Sequence, residues 1–229
     1  MRRIDRPEIL DSDACSPAEV QATLAVISRI NRRFGGMSTS QKMVEEVALA
    51  AGLTRLSILE VAAGSGEVPE TIRKNLAPRG IELDVTLLDV ALSHLPRRNH
   101  AVVANALQMP FSYNAFDLVS CNLFDHHLSP EQLQQFVSEG LRVCRSAVLI
   151  NDLVRHPLHL GLVYASFPLM RCRVAWLDGL TSVRRAYTPV EIRRLLAGTS
   201  KAEGARFRVF RHYLFRMGII IWKSATGMR

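Results

Sequence analysis

The stretch Ser57–Ile72, "SILEVAAGSGEVPETI", limits what this chain can fold into more than any other. An apolar run ends on an acid, two glycines follow one residue apart, and helix-forming sequence begins. A continuous apolar run fits a strand buried on both faces. Glycines straight after it permit a tight turn and a close backbone approach that a side chain would block. Strand, glycine turn and helix in that order open a parallel sheet whose ligand site lies at the carboxyl ends of the strands.

The rest of the chain repeats this alternation. Helices are expected at 16–36, with Ser16 as N-cap and Pro17 in the first turn, and at 38–52, capped near Ser38 or Ser40 and closed by Gly52. Strands at 56–62, 81–91, 100–106, 116–123 and 146–153 then alternate with helices at 67–80, 92–98 and 129–144. A looser apolar stretch with interspersed arginines covers 154–187. A helix capped by Thr188 and two C-terminal strands joined near 212–214 follow it. The pattern predicts an α/β fold with a doubly wound, mostly parallel seven-stranded sheet and an antiparallel C-terminal edge. No repeat or linker divides the chain. We therefore expect one domain over 1–229, with a helical N-terminal cap (1–53), a ligand-binding core (54–153), an insert over the substrate (154–187) and a C-terminal helix with edge strands (188–229).

The net charge of +8 raises the question of an anionic partner. The basic residues are scattered in pairs, Arg2-Arg3, Arg32-Arg33, Arg97-Arg98, Arg184-Arg185 and Arg193-Arg194, which fits solvated helix faces better than one nucleic-acid tract. Cys15, Cys121, Cys144 and Cys172 contain no metal-ligand pair, so no metal site is assigned, and reduced thiols in a cytoplasmic protein are expected. The N-terminus has no apolar secretory core. The apolar stretch Leu158–Met170 falls short of the roughly 20 residues that span a bilayer, which leaves peripheral membrane contact or a pocket wall as its uses.

The ligand can be narrowed further. The dinucleotide fingerprint G-x-G-x-x-G, read from Gly64, meets Pro69 where its third glycine belongs. Glu67 also sits at the helix N-terminus that a pyrophosphate would occupy. Glu60-Val61-Ala62-Ala63-Gly64-Ser65-Gly66 instead resembles the first motif of class I S-adenosylmethionine (SAM) dependent methyltransferases, acid-x-Gly-x-Gly-x-Gly, with Ala62 in place of the first glycine. The resemblance runs in order over about residues 54–153. It implies a Rossmann-like methyltransferase fold, SAM as cofactor and S-adenosylhomocysteine (SAH) as product. It implies that Glu60, Ala62, Gly64 and Gly66 surround the methionyl end. Asp89, beside Val90, would take both ribose hydroxyls. "ANALQMPF" (104–111) is similar to the adenine-binding segment, with Asn105 where an Asp is usual and Ala106 and Leu107 after it. Asn122 ends the matching fourth strand.

The acceptor is less constrained. Residues 122–125, Asn-Leu-Phe-Asp, lack the proline of the motif after the fourth strand that marks amide- and base-nitrogen methylation, so nucleic acid is not the expected partner. Cys121 and Cys144 lie in apolar elements and suit buried thiols better than cytosine chemistry. His127 and His126 are the candidate bases, because an imidazole suits deprotonation of a phenol or acid. His156, His159, Asn151 and Asp152 are weaker candidates near the same edge. The N-terminal helices and the insert, with Arg171, Arg173, Arg184 and Arg185, would hold the acceptor. The insert and the sequence after it look like bacterial small-molecule methyltransferases of polyketide or phenolic-lipid biosynthesis, which implies O-methylation of a hydrophobic hydroxyl by a monomer or homodimer. C-methylation of a quinone-like compound, an NAD-dependent oxidoreductase and an RNA-binding protein are the alternatives.

Overall fold

Side-chain alternation along β1 (Arg55–Val61) sets the layers. Leu56 and Ile58 pack into one core with Met43, Val44 and Val47 of α2 (Gly36–Ala51) and Ile72 and Leu76 of α3 (Glu67–Leu76). Leu59 and Val61 point the other way, toward Leu133, Phe136 and Val137 of α4 (Pro130–Val143) and Ile192 and Leu196 of α8 (Pro189–Ala202). A strand covered on both faces has no polar side, which is why the run reads as continuously apolar.

The computed structural model describes residues 1–11, 15–96, 100–170 and 172–224. β2 (Glu82–Asp89), β3 (Ala101–Val103), β4 (Phe116–Asn122), β5 (Cys144–Leu153), β6 (Arg206–Tyr213) and β7 (Arg216–Trp222) complete one sheet of order β3-β2-β1-β4-β5-β7-β6. All neighbours from β3 to β5 are parallel, and β7 runs antiparallel to both β5 and β6. The strand order reverses direction at β1, so its carboxyl end is the switch point where a crevice opens.

Three of the helices start with reciprocal capping boxes. Ser16–Glu19 starts α1 (Pro17–Arg33), Ser129–Gln132 starts α4, and Thr188–Glu191 starts α8, each with a proline in the first turn. The second helix begins at Gly36, two residues before the expected cap region, after Gly35 in a left-handed conformation. Ser38 and Ser40 are therefore helix-interior, and the Ser40 hydroxyl turns to Asn122 Oδ1 instead. Residues 92–94 form a turn rather than the expected helix, and Arg97 and Arg98 lie outside the described residues, as does Arg171. The insert resolves into α5 (Pro157–Ala165), α6 (Phe167–Met170) and α7 (Arg173–Arg185). No helix among the described residues is long and apolar enough to cross a membrane.

Candidate active site

The loop after β1 is held in an unusual backbone conformation. Ala62, Gly64 and Gly66 have φ of 51°, 52° and 69°. A Cβ on Gly66 would lie 2.5 Å from Leu87 Cδ1, so both the dihedral and the β2 wall demand glycine there. Ala62 accepts the left-handed conformation without being glycine, at a cost of roughly 1–2 kcal/mol. Asp89, at the end of β2, ties this loop down. Its carboxylate accepts the N–H of Gly64 at 2.9 Å and of Ala91 at 3.0 Å. Burial alone would raise the Asp89 carboxyl. The hydrogen bonds from His94, Ala91 and Gly64 outweigh it and hold the pKa below the usual value.

A cavity of about 730 Å³ opens above these strand ends. Ala62, Gly64, Asp89 and Val90 line it on one side, with Val90 exposed beside the acid. Leu24, Ile27 and Ile30 of α1 roof it, and α1 is fastened to the loop by Ser28 and Arg32, which both contact the Glu67 carboxylate. Val163 of α5 and Val183 of α7 close the far side.

Other expected positions lie elsewhere. Glu60 is buried and accepts the Asn122 side-chain amide at 2.6 Å. Burial pushes its carboxyl up to about 7, against the lowering hydrogen bonds of Asn122 and Ser120. Asn122 Oδ1 accepts from Asn151 Nδ2 at 2.9 Å, and Asn151 also reaches Gly36 O at 2.6 Å. Glu60, Asn122 and Asn151 thus form a polar floor beneath the cavity rather than its wall. Asn105 closes a local turn on the Leu107 N–H at 2.8 Å, and Asn105, Ala106, Leu107 and Gly66 do not line the cavity.

The two histidines differ. His126 is buried, with Nδ1 2.8 Å from both Asp152 oxygens and Nε2 3.2 Å from Glu8 Oε1. Burial would lower its pKa, but Asp152 and Glu8 raise it to about 10, so it stands as an imidazolium between two carboxylates. Asp125, behind it, receives no hydrogen bond. Burial and the facing Asp152 charge push its carboxyl far up, so it keeps its proton. His127 lines the cavity, half-buried, with Nδ1 3.1 Å from Asp11 Oδ1 and Nε2 3.8 Å from Glu8 Oε2.

Sequence reasoning missed Glu8 and Asp11. They come from an N-terminal strap, 118 residues from His126 in the case of Glu8, and no local spacing marks them. Arg3 clasps the strap by donating to Arg185 O, Leu128 O and His126 O at 2.6, 2.8 and 3.1 Å, and Asp178 receives the N–H groups of Ile9 and Leu10. Arg185 is not on a solvated face. It is buried and donates to the carbonyls of His126 and His127. His156 caps α5, and His159 stacks on Phe215 at 4.7 Å between ring centres.

Comparison with known proteins agrees with this geometry. Residues 59–150 match the family model described as a methyltransferase domain. No curated protein sequence matches the chain. The plantazolicin methyltransferase BpumL, solved with SAH, superposes with a TM-score of 0.65 at 15% identity, covering 91% of this chain and 95% of that one. A SAM-dependent methyltransferase from Aquifex aeolicus gives 0.60 at 17% identity, covering 92% and 100%. Human N-acetylserotonin methyltransferase, solved with SAM, gives 0.62 at 15% identity over 92% of this chain and 57% of its own. With the glycine loop, the acid ending β2 and the seven-stranded order in place, residues 59–150 match a methyltransferase domain and the chain has the Rossmann-like fold of SAM-dependent methyltransferases.

Proposed function

We propose that the protein transfers the SAM methyl group to a hydroxyl of a small hydrophobic acceptor, a phenol or polyketide-type compound. The observation that carries this reading is the make-up of the cavity beyond the glycine loop. It is walled by aliphatic side chains of α1, α5 and α7. Of the imidazoles that line it, His94 lies beside Asp89, His126 is held between two carboxylates and His159 stacks on Phe215, which leaves half-buried His127, after β4, as the base candidate. An in-line displacement needs the acceptor aligned and its proton removed as the bond forms.

In this reading Asp89 takes the ribose hydroxyls and Val90 packs on the adenine. Glu60 and the loop 62–66 serve the methionyl end. Asn105 to Leu107 would join the adenine edge once the ligand is seated. His127 is the base. Asp11 accepts from its Nδ1, which fixes the tautomer and leaves Nε2, 3.8 Å from Glu8 Oε2, as the basic nitrogen. His126, with both ring nitrogens occupied, acts as a positioning group that holds Glu8 in place. We expect the enzyme to work in the cytoplasm, in secondary metabolism.

The test is a screen of phenolic and polyketide hydroxyl acceptors with isotopically labelled SAM, followed by His127→Ala on any acceptor found. Label in an ether product, with turnover reduced roughly 100-fold or more in the variant, supports the reading. Label on ring carbon only would replace it with C-methylation.

A further inference from the structure

Arg216 opens β7, and its first residue pairs with Leu153 at the end of β5. The side chain is 2% exposed and lines the cavity. Its Nη2 donates to Asn31 Oδ1 of α1 at 2.6 Å, a neutral partner. Its Nη1 has no hydrogen-bond partner, and among the described residues no carboxylate pairs with it. A guanidinium taken out of water without a counter-charge costs several kcal/mol, and proteins bury one only where something compensates. Burial lowers its pKa, but only to about 10, partly because Asp152 lies near enough to favour the charge, so it stays a cation at neutral pH.

Position decides which ligand compensates it. The ribose acid, Asp89, is on β2, and the glycine loop follows β1. Arg216 lies on the other side, three strands beyond β1 in the order β1-β4-β5-β7. At about 4.8 Å per strand that is roughly 14 Å from the loop. His127 follows β4, between the two. A molecule with its reacting oxygen at His127 would extend along the aliphatic wall toward β7 and end at Arg216.

We propose that Arg216 binds an anionic group of the methyl acceptor, so that the substrate class is a hydrophobic hydroxy acid rather than a neutral phenol. This rests on the acceptor reading above. The methionyl carboxylate of SAM is the competing source of the same chemistry, and the test separates the two.

Binding of 4-hydroxybenzoate and octanoate, and of the neutral counterparts 4-hydroxybenzamide and octanol, is measured by calorimetry on SAH-saturated wild type, Arg216→Met and Asn31→Asp. Each variant's SAH affinity is measured first. The proposal expects at least tenfold preference for a carboxylate over its neutral partner in the wild type. It expects that preference to vanish in Arg216→Met, with SAH affinity changed less than threefold. Asn31→Asp keeps Arg216 but supplies an internal counter-charge, and is expected to lose the preference too. Equal binding of both members of each pair, no carboxylate binding at millimolar concentration, or a preference that survives in both variants would overturn it. A tenfold loss of SAH affinity in Arg216→Met would assign the residue to the cofactor. Failure of wild type to bind SAH would overturn the methyltransferase reading beneath it.

Discussion

Asp89 Oδ2 accepts the backbone N–H of Gly64 at 2.9 Å, which joins the end of β2 to the turn after β1 before any ligand arrives. In the proposed reading, the acid that holds the ribose also shapes the loop that holds the methionyl end, so the site is pre-organised before the ligand arrives.

Two substitutions in this loop should have opposite signs. Gly66→Ala adds a Cβ 2.5 Å from Leu87 at φ of +69°, combining backbone strain with a clash in a packed wall. We expect a loss of about 2–3 kcal/mol. Ala62→Gly relieves roughly 1–2 kcal/mol of left-handed strain and returns about 0.4–1 kcal/mol through the freer unfolded chain. A net gain of about 0.5–1 kcal/mol should result. Urea denaturation of both variants checks the pair.

Glu60 gives a pH prediction. Its folded pKa, about 7, is above its ordinary value of 4.5, so its stabilising effect is complete below pH 4.5 and is lost as pH rises toward 7. The group costs about 3 kcal/mol once ionised. Glu60→Gln should match wild type near pH 4.5 and exceed it in stability by about that amount at pH 8. The difference between the two urea midpoint curves across this range isolates the effect from other titrating groups. A difference that does not grow with pH would show that Glu60 ionises freely in the folded protein.

The N-terminal strap should be separable from the cofactor site. Arg3→Ala removes three hydrogen bonds to carbonyls of the 126–128 turn and Arg185, and the stacking of the guanidinium on Tyr187 at 4.2 Å. Proteolysis near the N-terminus should become faster, reporting local opening that costs on the order of 2 kcal/mol less than in wild type. SAH affinity should stay within a few-fold of wild type. If SAH binding collapses with the strap, the two sites are not independent.

The core was legible from sequence for a definite reason. Leu56 and Ile58 on one face and Leu59 and Val61 on the other are apolar, and Ser129-Pro130 and Thr188-Pro189 carry complete capping signals, so β1, α4 and α8 announce themselves locally. Asp89 was readable because its place after the second strand is fixed by the fold. The start of α2 was not, since Gly35 supplies the turn, Ser38 donates back to the Gly35 carbonyl, and Ser40 serves Asn122 and Asn151 across the sheet. Glu8, Asp11 and Arg216 meet the cavity only through contacts far apart in the chain, and a single sequence carries no mark of them. The Arg184-Arg185 pair reads as a solvated face, yet Arg185 is buried against His126 and His127.

The most direct test of the account is calorimetric titration of SAH into wild type and Asp89→Ala at one pH, with NAD as the control ligand. We predict one SAH site per chain in the wild type and no NAD binding. In the variant, SAH should be weakened by about 3 kcal/mol, roughly a hundredfold, from two lost hydroxyl-to-carboxylate bonds. SAH binding unchanged by Asp89→Ala, or NAD bound in place of SAH, would contradict it.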